Sequence, residues 1–377
     1  MEIIEFFSTI LSDYTFRNIF LGSLFFGFLS GMIGTFVVLK KQSLAGDVIS
    51  HSALPGIALI YIIFRSKNLI LLLFGGALSG WIALNFVYQI KKNSKVKQDS
   101  ALGLVLSVFF GLGIVLLTFI QKKIPDSSQA GLDKFLFGQA SSIVFEDVLQ
   151  ICIVIFICAI IVILFWKDFK LFLFDHEYFY TLGFKKGNFE LIFQILVITA
   201  IVLGLQTVGV ILMSAMLVAP ASAARQWTNR LEKMMILSGL FGALSGIIGA
   251  LVSTHIKNLP TGPTIVLVSF GFVLFSFLFG IKKGFIVKLF KKIKHYRDYQ
   301  EKKVLCYLYA LSRHHAKYDH EHSIKVLKTM GLKEVRLKKT LKILLKKEMV
   351  HEKNKNLWYI TQKGIELAKC FHGSDLK

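Results

Sequence analysis

Residues 31–56 read GMIGTFVVLKKQSLAGDVISHSALPG, an apolar stretch with an acid and a histidine near its centre. Asp47 and His51 are four residues apart, so a helix places the two side chains on one face. Ionisable groups are costly in the interior of a bilayer, and where they occur they line paths for solutes. The stretch therefore predicts a membrane helix whose polar face lies along such a path.

The pair Asp47 and His51 also has the chemistry of a metal site. A carboxylate oxygen and an imidazole nitrogen together suit divalent manganese, iron or zinc. Gly46, Pro55 and Gly56 would let the helix break locally and add carbonyl oxygens as ligands. In the alternative interpretation Asp47 is an acid at the membrane interface, and His51 is a hydrogen-bond partner between helices. The residues alone leave both interpretations open.

The composition is that of a helical protein that crosses a membrane many times. The chain has 377 residues, 54% of them hydrophobic, and a mean hydropathy of +0.61. Its apolar runs reach the roughly 20 residues that a spanning helix needs. We expect an all-α polytopic membrane fold of about eight to nine transmembrane helices, from nine apolar segments: 16–39, 42–64, 68–90, 100–121, 143–165, 189–206, 207–222, 233–253 and 262–281. The sixth and seventh segments are short, which suits broken or half-length helices.

Basic residues predict how these segments are oriented. Lysine and arginine are enriched on the cytoplasmic side of a membrane. Here they follow every odd-numbered segment: Lys40, Lys41, Lys91, Lys92, Lys95, Lys97, Lys167, Lys170, Lys185, Lys186, Arg225, Arg230, Lys282 and Lys283. This places the N-terminus outside the cell and the C-terminus in the cytoplasm, with Lys122, Lys123 and Lys134 as external exceptions.

The last quarter of the chain has a different character from the apolar domain over residues 1–284. From Phe285 to Lys377 there are 23 lysines and arginines against 9 acids, a net charge of +14. Residues 285–297 predict a basic amphipathic connector that suits the headgroup region of a membrane. Residues 298–377 predict a small cytoplasmic domain. Its charge favours contact with anionic lipid or with nucleic acid.

The order of predicted elements in residues 298–377 is that of a winged helix, a small α+β fold. A first helix precedes HSIKVLKTMGL and KEVRLKKTLKILLKKEMV, which read as two helices joined by a turn, and EKNKNLWYITQKGIELAKC reads as a hairpin and a last helix. The second helix of the pair would carry candidate contacts to DNA: Lys333, Arg336, Lys338 and Lys339. The same fold also serves for protein docking or dimerisation, so DNA is one of two kinds of partner.

Residues 209–231 read GVILMSAMLVAPASAARQWTNRL, an apolar helix followed by a short polar turn. A compact cytoplasmic helix here could dock into a groove on a partner protein. The candidate residues for this contact are Ala219, Pro220, Arg225, Trp227 and Arg230. An ordinary basic loop is the equally good alternative.

Weaker candidates lie elsewhere. His255 could receive metal at the outer end of a helix, Asp126 and Asp133 could dock an external partner, and the histidine-rich run 314–322 could chelate a divalent ion. For each, a solvated loop is the simpler interpretation. The chain has no GxxxxGK[ST], HExxH or GxSxG motif, so we expect no ATP hydrolysis and no enzymatic chemistry from it.

The run FVVLKKQSLAGDVISHSALPG resembles the permeases of the manganese/zinc/iron class of ABC importers, whose pattern is a basic pair followed by xSLxGDxxSHxxLPG. The run GVILMSAMLVAPASAARQW resembles that family's cytoplasmic coupling region, and TGPTIVLV also fits. The likeness covers about residues 14–284. It implies a permease of the type II importer fold in a bacterial inner membrane.

The resemblance implies a transport mechanism, its site residues and its partner proteins. Asp47 and His51 correspond to the acid and histidine of the family's metal path, and residues 219–232 to its coupling helix. Transport would proceed by alternating access, with manganese, zinc or iron as cargo and no resident cofactor. Two permeases, identical or paralogous, would pair with two ATPase subunits inside, and an extracytoplasmic metal-binding protein would deliver the ion.

The tail departs from a plain permease. EMVHEKNKNLWYITQKGIELA resembles the winged-helix part of metal-dependent iron/manganese repressors, without their dimerisation and metal-binding region. We expect a regulatory domain that senses cytosolic metal. Two other functions remain as alternatives for the whole chain: a membrane-anchored, metal-responsive transcription regulator, and a permease for metal chelates of the siderophore or cobalamin type.

Overall fold

The computed structural model describes residues 14–66, 68–123, 138, 144–182, 186–256, 259–313, 321–329, 334–354 and 357–372. The chain divides into two compact units, one ending at Phe285 and the other beginning at Ile286. Each unit has its own hydrophobic core.

The first unit is a bundle of apolar helices. Among the described residues, seven helices are long and apolar enough to cross a membrane: α1 (Tyr14–Leu39), α2 (Ser43–Phe64), α3 (Leu69–Asn93), α4 (Gln98–Lys123), α5 (Phe145–Leu164), α10 (Leu231–His255) and α11 (Thr261–Phe279). Between α5 and α10 lie α6 (Trp166–Phe174), α7 (His176–Thr181), α8 (Lys186–Thr207) and α9 (Val210–Ala224). The chain is therefore a multi-pass membrane protein, as its composition predicts.

The sixth and seventh predicted segments are two separate helices, α8 and α9. They meet at Val208 and Gly209, where Gly209 adopts a φ of 86° that favours glycine. The apolar parts of these helices, Phe189–Leu205 and Val210–Ala224, are shorter than the seven long spans. The predicted number of eight to nine spans counts these two shorter helices together with the seven.

Helices α1 and α10 approach so closely that their backbones touch. A methyl group at Gly27 would lie 2.2 Å from the carbonyl oxygen of Gly242, and one at Gly31 would lie 2.2 Å from that of Ser238. The Ser238 hydroxyl donates a hydrogen bond of 2.5 Å to the Gly31 carbonyl. Small residues of this kind are what allow helices to associate strongly where lipid removes the hydrophobic driving force.

Helices α6 and α7 form a phenylalanine cluster that the sequence analysis did not predict. Phe169, Phe172 and Phe179 are fully buried, and their rings pack against Phe189 of α8 at centroid distances of 4.8–5.2 Å. Phe36 of α1 contacts Phe169 at 5.2 Å. The segment after α5 is therefore a packed part of the bundle and not only a basic loop.

The second unit combines helices with a small antiparallel sheet. Its elements are α12 (Phe285–Arg313), β1 (His322–Ser323), α13 (Ile324–Thr329), α14 (Glu334–Lys346), β2 (Val350–Asn354), β3 (Leu357–Ile360) and α15 (Gln362–His372). The three strands have the order β1-β3-β2. The core is built from Leu308, Leu327, Leu341, Val350 and Trp358.

The contact between α1 and α10 yields a test with a matched control. Changing Gly27 to alanine should destabilise the bundle by about 1–3 kcal/mol, because the added methyl group must push the two backbones apart. Changing Gly271 to alanine adds the same group inside α11, where nothing lies within 4 Å. That control should be neutral or slightly stabilising, since alanine is the better helix former. Thermal unfolding in detergent checks both, and equal midpoints for the two variants would contradict the packing argument.

Candidate functional site

Asp47 and His51 lie one turn apart on α2, and both side chains are half-buried. The predicted local break of this helix is not present, because α2 continues from Ser43 through Pro55 to Phe64. Gly46 lies against α9, and a methyl group built there would be in ordinary contact with the Ser214 and Leu217 side chains at 3.5 Å. The turn that carries Asp47 therefore packs beside α9.

Pro55 still frees a ligand atom without breaking the helix. A proline inside a helix has no N–H to donate to the carbonyl four residues earlier. In α2 that carbonyl belongs to His51. The same short stretch therefore carries a carboxylate, an imidazole and a backbone oxygen that lacks its helical hydrogen bond.

The imidazole of His51 is held by contact with an aromatic ring. It packs edge to face against Phe110 of α4, with the ring centroids 4.8 Å apart. Its Nδ1 atom is buried and accepts or donates no hydrogen bond among the described residues. A buried polar atom without a partner is costly, and a bound cation would remove that cost.

The hydroxyl groups of the neighbouring serines donate their protons to backbone carbonyls of α2. The Ser50 hydroxyl donates a hydrogen bond of 2.8 Å to the Gly46 carbonyl, and the Ser52 hydroxyl donates to the Val48 carbonyl. Within the described ranges there is no group of three or more histidine, cysteine, aspartate or glutamate side chains that could hold a metal. Asp47 and His51 are therefore the two side chains of these four residue types on this part of α2.

Glycines on α3 and α4 enclose this part of α2. A methyl group at Gly113 of α4 would lie 2.8 Å from Leu54, and one at Gly75 of α3 would lie 2.7 Å from the carbonyl oxygen of Gly56. Both neighbours therefore pack directly against the turns that follow His51. The polar pair lies on a helix that is surrounded by other helices, as the cost of ionisable groups in a bilayer requires.

A cavity of about 100 Å³ lies beside the first turns of α2. Ala45 and Ile49, on either side of Asp47 in sequence, form part of its wall. Its polar lining comes from the ends of four helices: Gln42, Tyr88, Lys91, Gln98, Glu190 and Gln194. We call the end of the bundle where these residues meet the basic end.

A partly buried ion pair lies at the basic end, between residues 150 positions apart in sequence. Lys40, which follows α1, donates a hydrogen bond of 2.9 Å to Glu190 of α8. The Lys40 ammonium also lies over the rings of Phe172 and Phe193, at 4.5 and 4.4 Å from their centroids. Burial lowers the pKa of Lys40 from its ordinary value, and the Glu190 carboxylate opposes this by favouring the charged form. The pair fixes the entry to α2 against α8.

The predicted coupling region, residues 219–232, is the end of α9, a tight turn and the start of α10. Pro220 is buried inside α9, and Ala219 is half-buried beside it. The Trp227 indole donates a hydrogen bond of 2.9 Å to the Ser276 hydroxyl on α11. Arg225 is half-buried and Arg230 is exposed. Arg225 and Arg230 are therefore the charged members of the predicted set. The other three residues are uncharged and pack within the bundle.

The Gln226 carbonyl ties the same turn to the segment that follows α11. It accepts hydrogen bonds from the backbone N–H groups of Lys282 and Lys283, at 3.1 and 3.2 Å. Local sequence patterns do not predict this contact, because it joins a turn to residues more than fifty positions away.

The remaining candidate site residues lie partly within and partly outside the described residues. His255 is exposed at the end of α10, and its Nδ1 lies 3.1 Å from the Leu251 carbonyl oxygen. Asp126, Asp133 and Lys333 lie outside the described residues, as does most of the run 314–322. Its last residue, His322, is buried in β1.

The candidate DNA contacts Arg336, Lys338 and Lys339 are exposed on α14. Arg336 donates a hydrogen bond of 2.6 Å to the Tyr296 hydroxyl on α12.

Comparison with known proteins finds similarity to the first unit throughout and, in one relative, to most of the chain. A model of the ABC 3 transport family matches residues 12–280. A zinc transport system membrane protein, TroC of Treponema pallidum, is 44% identical over 75% of this chain and 95% of its own length. The manganese transport system membrane protein MntC of Bacillus subtilis is 39% identical over 93% of this chain and 80% of its own length. A solved structure, PsaBC from Streptococcus pneumoniae in complex with Fab, aligns with a TM-score of 0.66 and 30% identity over 74% of this chain and 97% of that one.

The partly buried ion pair of Lys40 and Glu190 can be tested with a double-mutant cycle. Changing Lys40 to methionine and Glu190 to glutamine, singly and together, should give a coupling free energy on the order of 1 kcal/mol, because Lys40 is largely shielded from solvent while Glu190 is only partly so. The exposed pair of Lys170 and Glu232, treated identically, should show no measurable coupling. Unfolding in detergent provides the measurement, and equal coupling in the two cycles would contradict the role assigned to Lys40.

Proposed function

Because the chain belongs to the ABC 3 transport family, we propose that it is the membrane permease of an ABC importer for manganese or zinc. The observation that carries the proposal is the turn of α2 with Asp47, His51 and the freed His51 carbonyl. Carboxylate and carbonyl oxygens suit manganese, and imidazole suits zinc and iron as well. The ion is cargo, so its ligands must bind it and also release it.

The proposed mechanism is alternating access around Asp47 and His51. The ion exchanges part of its water shell for the carboxylate, the imidazole and backbone oxygen, and the surrounding helices exclude other solutes. With two side chains as ligands, the remaining positions are filled by water or by groups of a second permease. Weak, incomplete coordination favours release, because a closed set of protein ligands would hold the metal as a structural site does.

The cavity at the basic end is the proposed route toward the cytoplasm. It is lined by Ala45 and Ile49 of α2 and not by Asp47 itself, and its amide and carboxylate oxygens can solvate a hydrated cation. The orientation follows from the positive-inside rule applied to the basic end. The partners we propose are ATPase subunits on this side, an extracytoplasmic metal-binding protein on the other, and a second permease in the membrane. Arg225 and Arg230 are the proposed contacts to the ATPase.

The second unit is proposed to be a cytoplasmic winged helix with a regulatory role. The support is its element order of helix, strand, two helices, two-stranded hairpin and helix. The family model ends at residue 280, whereas the likeness to the Bacillus subtilis manganese protein covers 93% of the chain and so includes most of this unit. We propose that it reports cytosolic metal to the permease, with DNA contact through Arg336, Lys338 and Lys339 as the alternative.

The permease proposal is tested by measuring metal content in cells. A strain without this gene should contain less manganese or zinc, and the wild-type gene should restore it. Asp47→Asn or His51→Gln should lower uptake at least about tenfold, because each removes a ligand. Asp99→Asn is the matched control, since Asp99 is an exposed acid in the first turn of α4 and should retain uptake.

The outcomes of this experiment separate the alternatives. Unchanged manganese, zinc and iron in the deletion strain, with altered transcripts, would indicate a membrane-anchored regulator. A metal deficit that Asp47→Asn restores as well as the wild type would retain the permease but reject the assigned ligands. Mass spectrometry of whole cells supplies the metal content in each case.

The regulatory role of the second unit is tested by a truncation after Phe285, the last residue of the first unit. With both proteins expressed from a constitutive promoter, uptake by the full chain should fall in cells preloaded with the transported metal. The truncated protein should keep its initial uptake but lose this response. Retention of the response without the second unit would reject a metal-sensing role for it.

A further inference from the structure

We propose that the first turns of α12, residues 285–297, bind the surface of an anionic lipid bilayer. The proposal is independent of the metal that the permease carries. It concerns a segment with the sequence FIVKLFKKIKHYR, which contains four lysines, one arginine and no acid.

The first turns of α12 are sparsely packed. Ten consecutive residues, 288–297, are exposed. Contacts occur at the end of this stretch, where Tyr296 accepts a hydrogen bond from Arg336 and Arg297 pairs with Glu301. A helical stretch of this length is marginal in water without tertiary contacts. The exposed apolar and lysine side chains before Tyr296 are accessible to a partner.

Large apolar side chains lie along one side of this stretch. Phe285, Leu289, Ile293 and Tyr296 follow one another at spacings of four, four and three residues, so they form a single stripe with Phe290 at its edge. Their exposed fractions run from 47% for Leu289 to 68% for Phe290. This is far more exposed apolar area than an isolated surface residue presents, and such a patch indicates an interaction site.

The charges surround the stripe rather than interrupt it. Lys291 and Lys294 lie on the opposite side of the helix, while Lys288, Lys292 and Arg297 lie nearer its edges. A basic face opposite an aromatic and aliphatic face is the pattern of helices that lie in the interface of a membrane. Lysine stems can cover apolar surface while their ammonium groups reach the phosphates.

The charge also argues against a second copy of the same helix as the occupant. Two such stretches packed together would bring ten basic groups close without a single acid between them, which is electrostatically unfavourable. An anionic bilayer offers hydrocarbon for the stripe and negative charge for the lysines. It is also near, because α12 begins at Phe285, only a few residues after the span α11 ends at Phe279.

The experiment uses the full chain in lipid nanodiscs and measures hydrogen exchange of the backbone amides of residues 286–297. One disc contains only phosphatidylcholine, and the other replaces about one third of it with phosphatidylglycerol. Exchange should be at least about tenfold slower in the anionic disc, because several lysines each add roughly fivefold to binding. Raising the salt from about 0.05 to about 0.5 M should remove most of the difference.

Two sets of variants separate lipid binding from general charge effects. Changing Lys288, Lys291, Lys292 and Lys294 to glutamine should abolish the difference between the discs, while helix propensity stays similar. The control changes Lys338, Lys339, Lys342 and Lys346 of α14 to glutamine, which removes the same charge from the same unit. The control should retain the slower exchange. Equal exchange in the two discs for the wild type would overturn the proposal.

A photo-crosslinker identifies the occupant directly. With p-benzoylphenylalanine in place of Phe290, illumination of membranes from the expressing cells should yield adducts of phospholipid mass on this residue. Adducts to a second copy of the chain or to another protein, without lipid adducts, would overturn the proposal in favour of a protein interface.

Discussion

The interior of a bilayer offers no hydrogen bonds to a peptide backbone, and the rest of this structure depends on that constraint. Every span must satisfy its own N–H and C=O groups, so the apolar part of the chain is a set of helices. Helices in lipid gain little from burying apolar side chains, and they associate through close backbone contact instead. The glycines of α1 and α10 provide such contact, and so do Gly75 and Gly113 around α2.

Because of this constraint, polar groups that lack a hydrogen bond within the bundle are informative. Pro55 deprives the His51 carbonyl of its helical partner, and the His51 Nδ1 atom is buried without a hydrogen bond among the described residues. Both atoms lie one turn from the Asp47 carboxylate. In water these would be ordinary polar groups, but within a membrane bundle they are a local deficit that a divalent ion can fill. The proposed function rests on this concentration of unsatisfied groups and on the family to which the chain belongs.

The sequence predicted the features that depend on residues close together in the chain. The nine apolar segments are helices near the predicted positions, and the spacing of Asp47 and His51 placed them on one helix face. Contacts between distant residues could not be predicted in this way. Lys40 pairs with Glu190, Trp227 donates a hydrogen bond to Ser276, and the rings of Phe36 and Phe169 are in contact. The periodicity of a single segment does not predict any of these contacts. The local break expected from Gly46, Pro55 and Gly56 is absent, and at Gly56 the glycine instead allows the close approach of Gly75 on α3.

The contact between α1 and α10 has a mechanical consequence. With no layer of side chains between Gly27 and Gly242, the two backbones meet directly, and no side chain can change its rotamer to let one helix shift past the other. We therefore expect α1 and α10 to move together. The same holds for α2 and α3, whose backbones meet directly at Gly56 and Gly75.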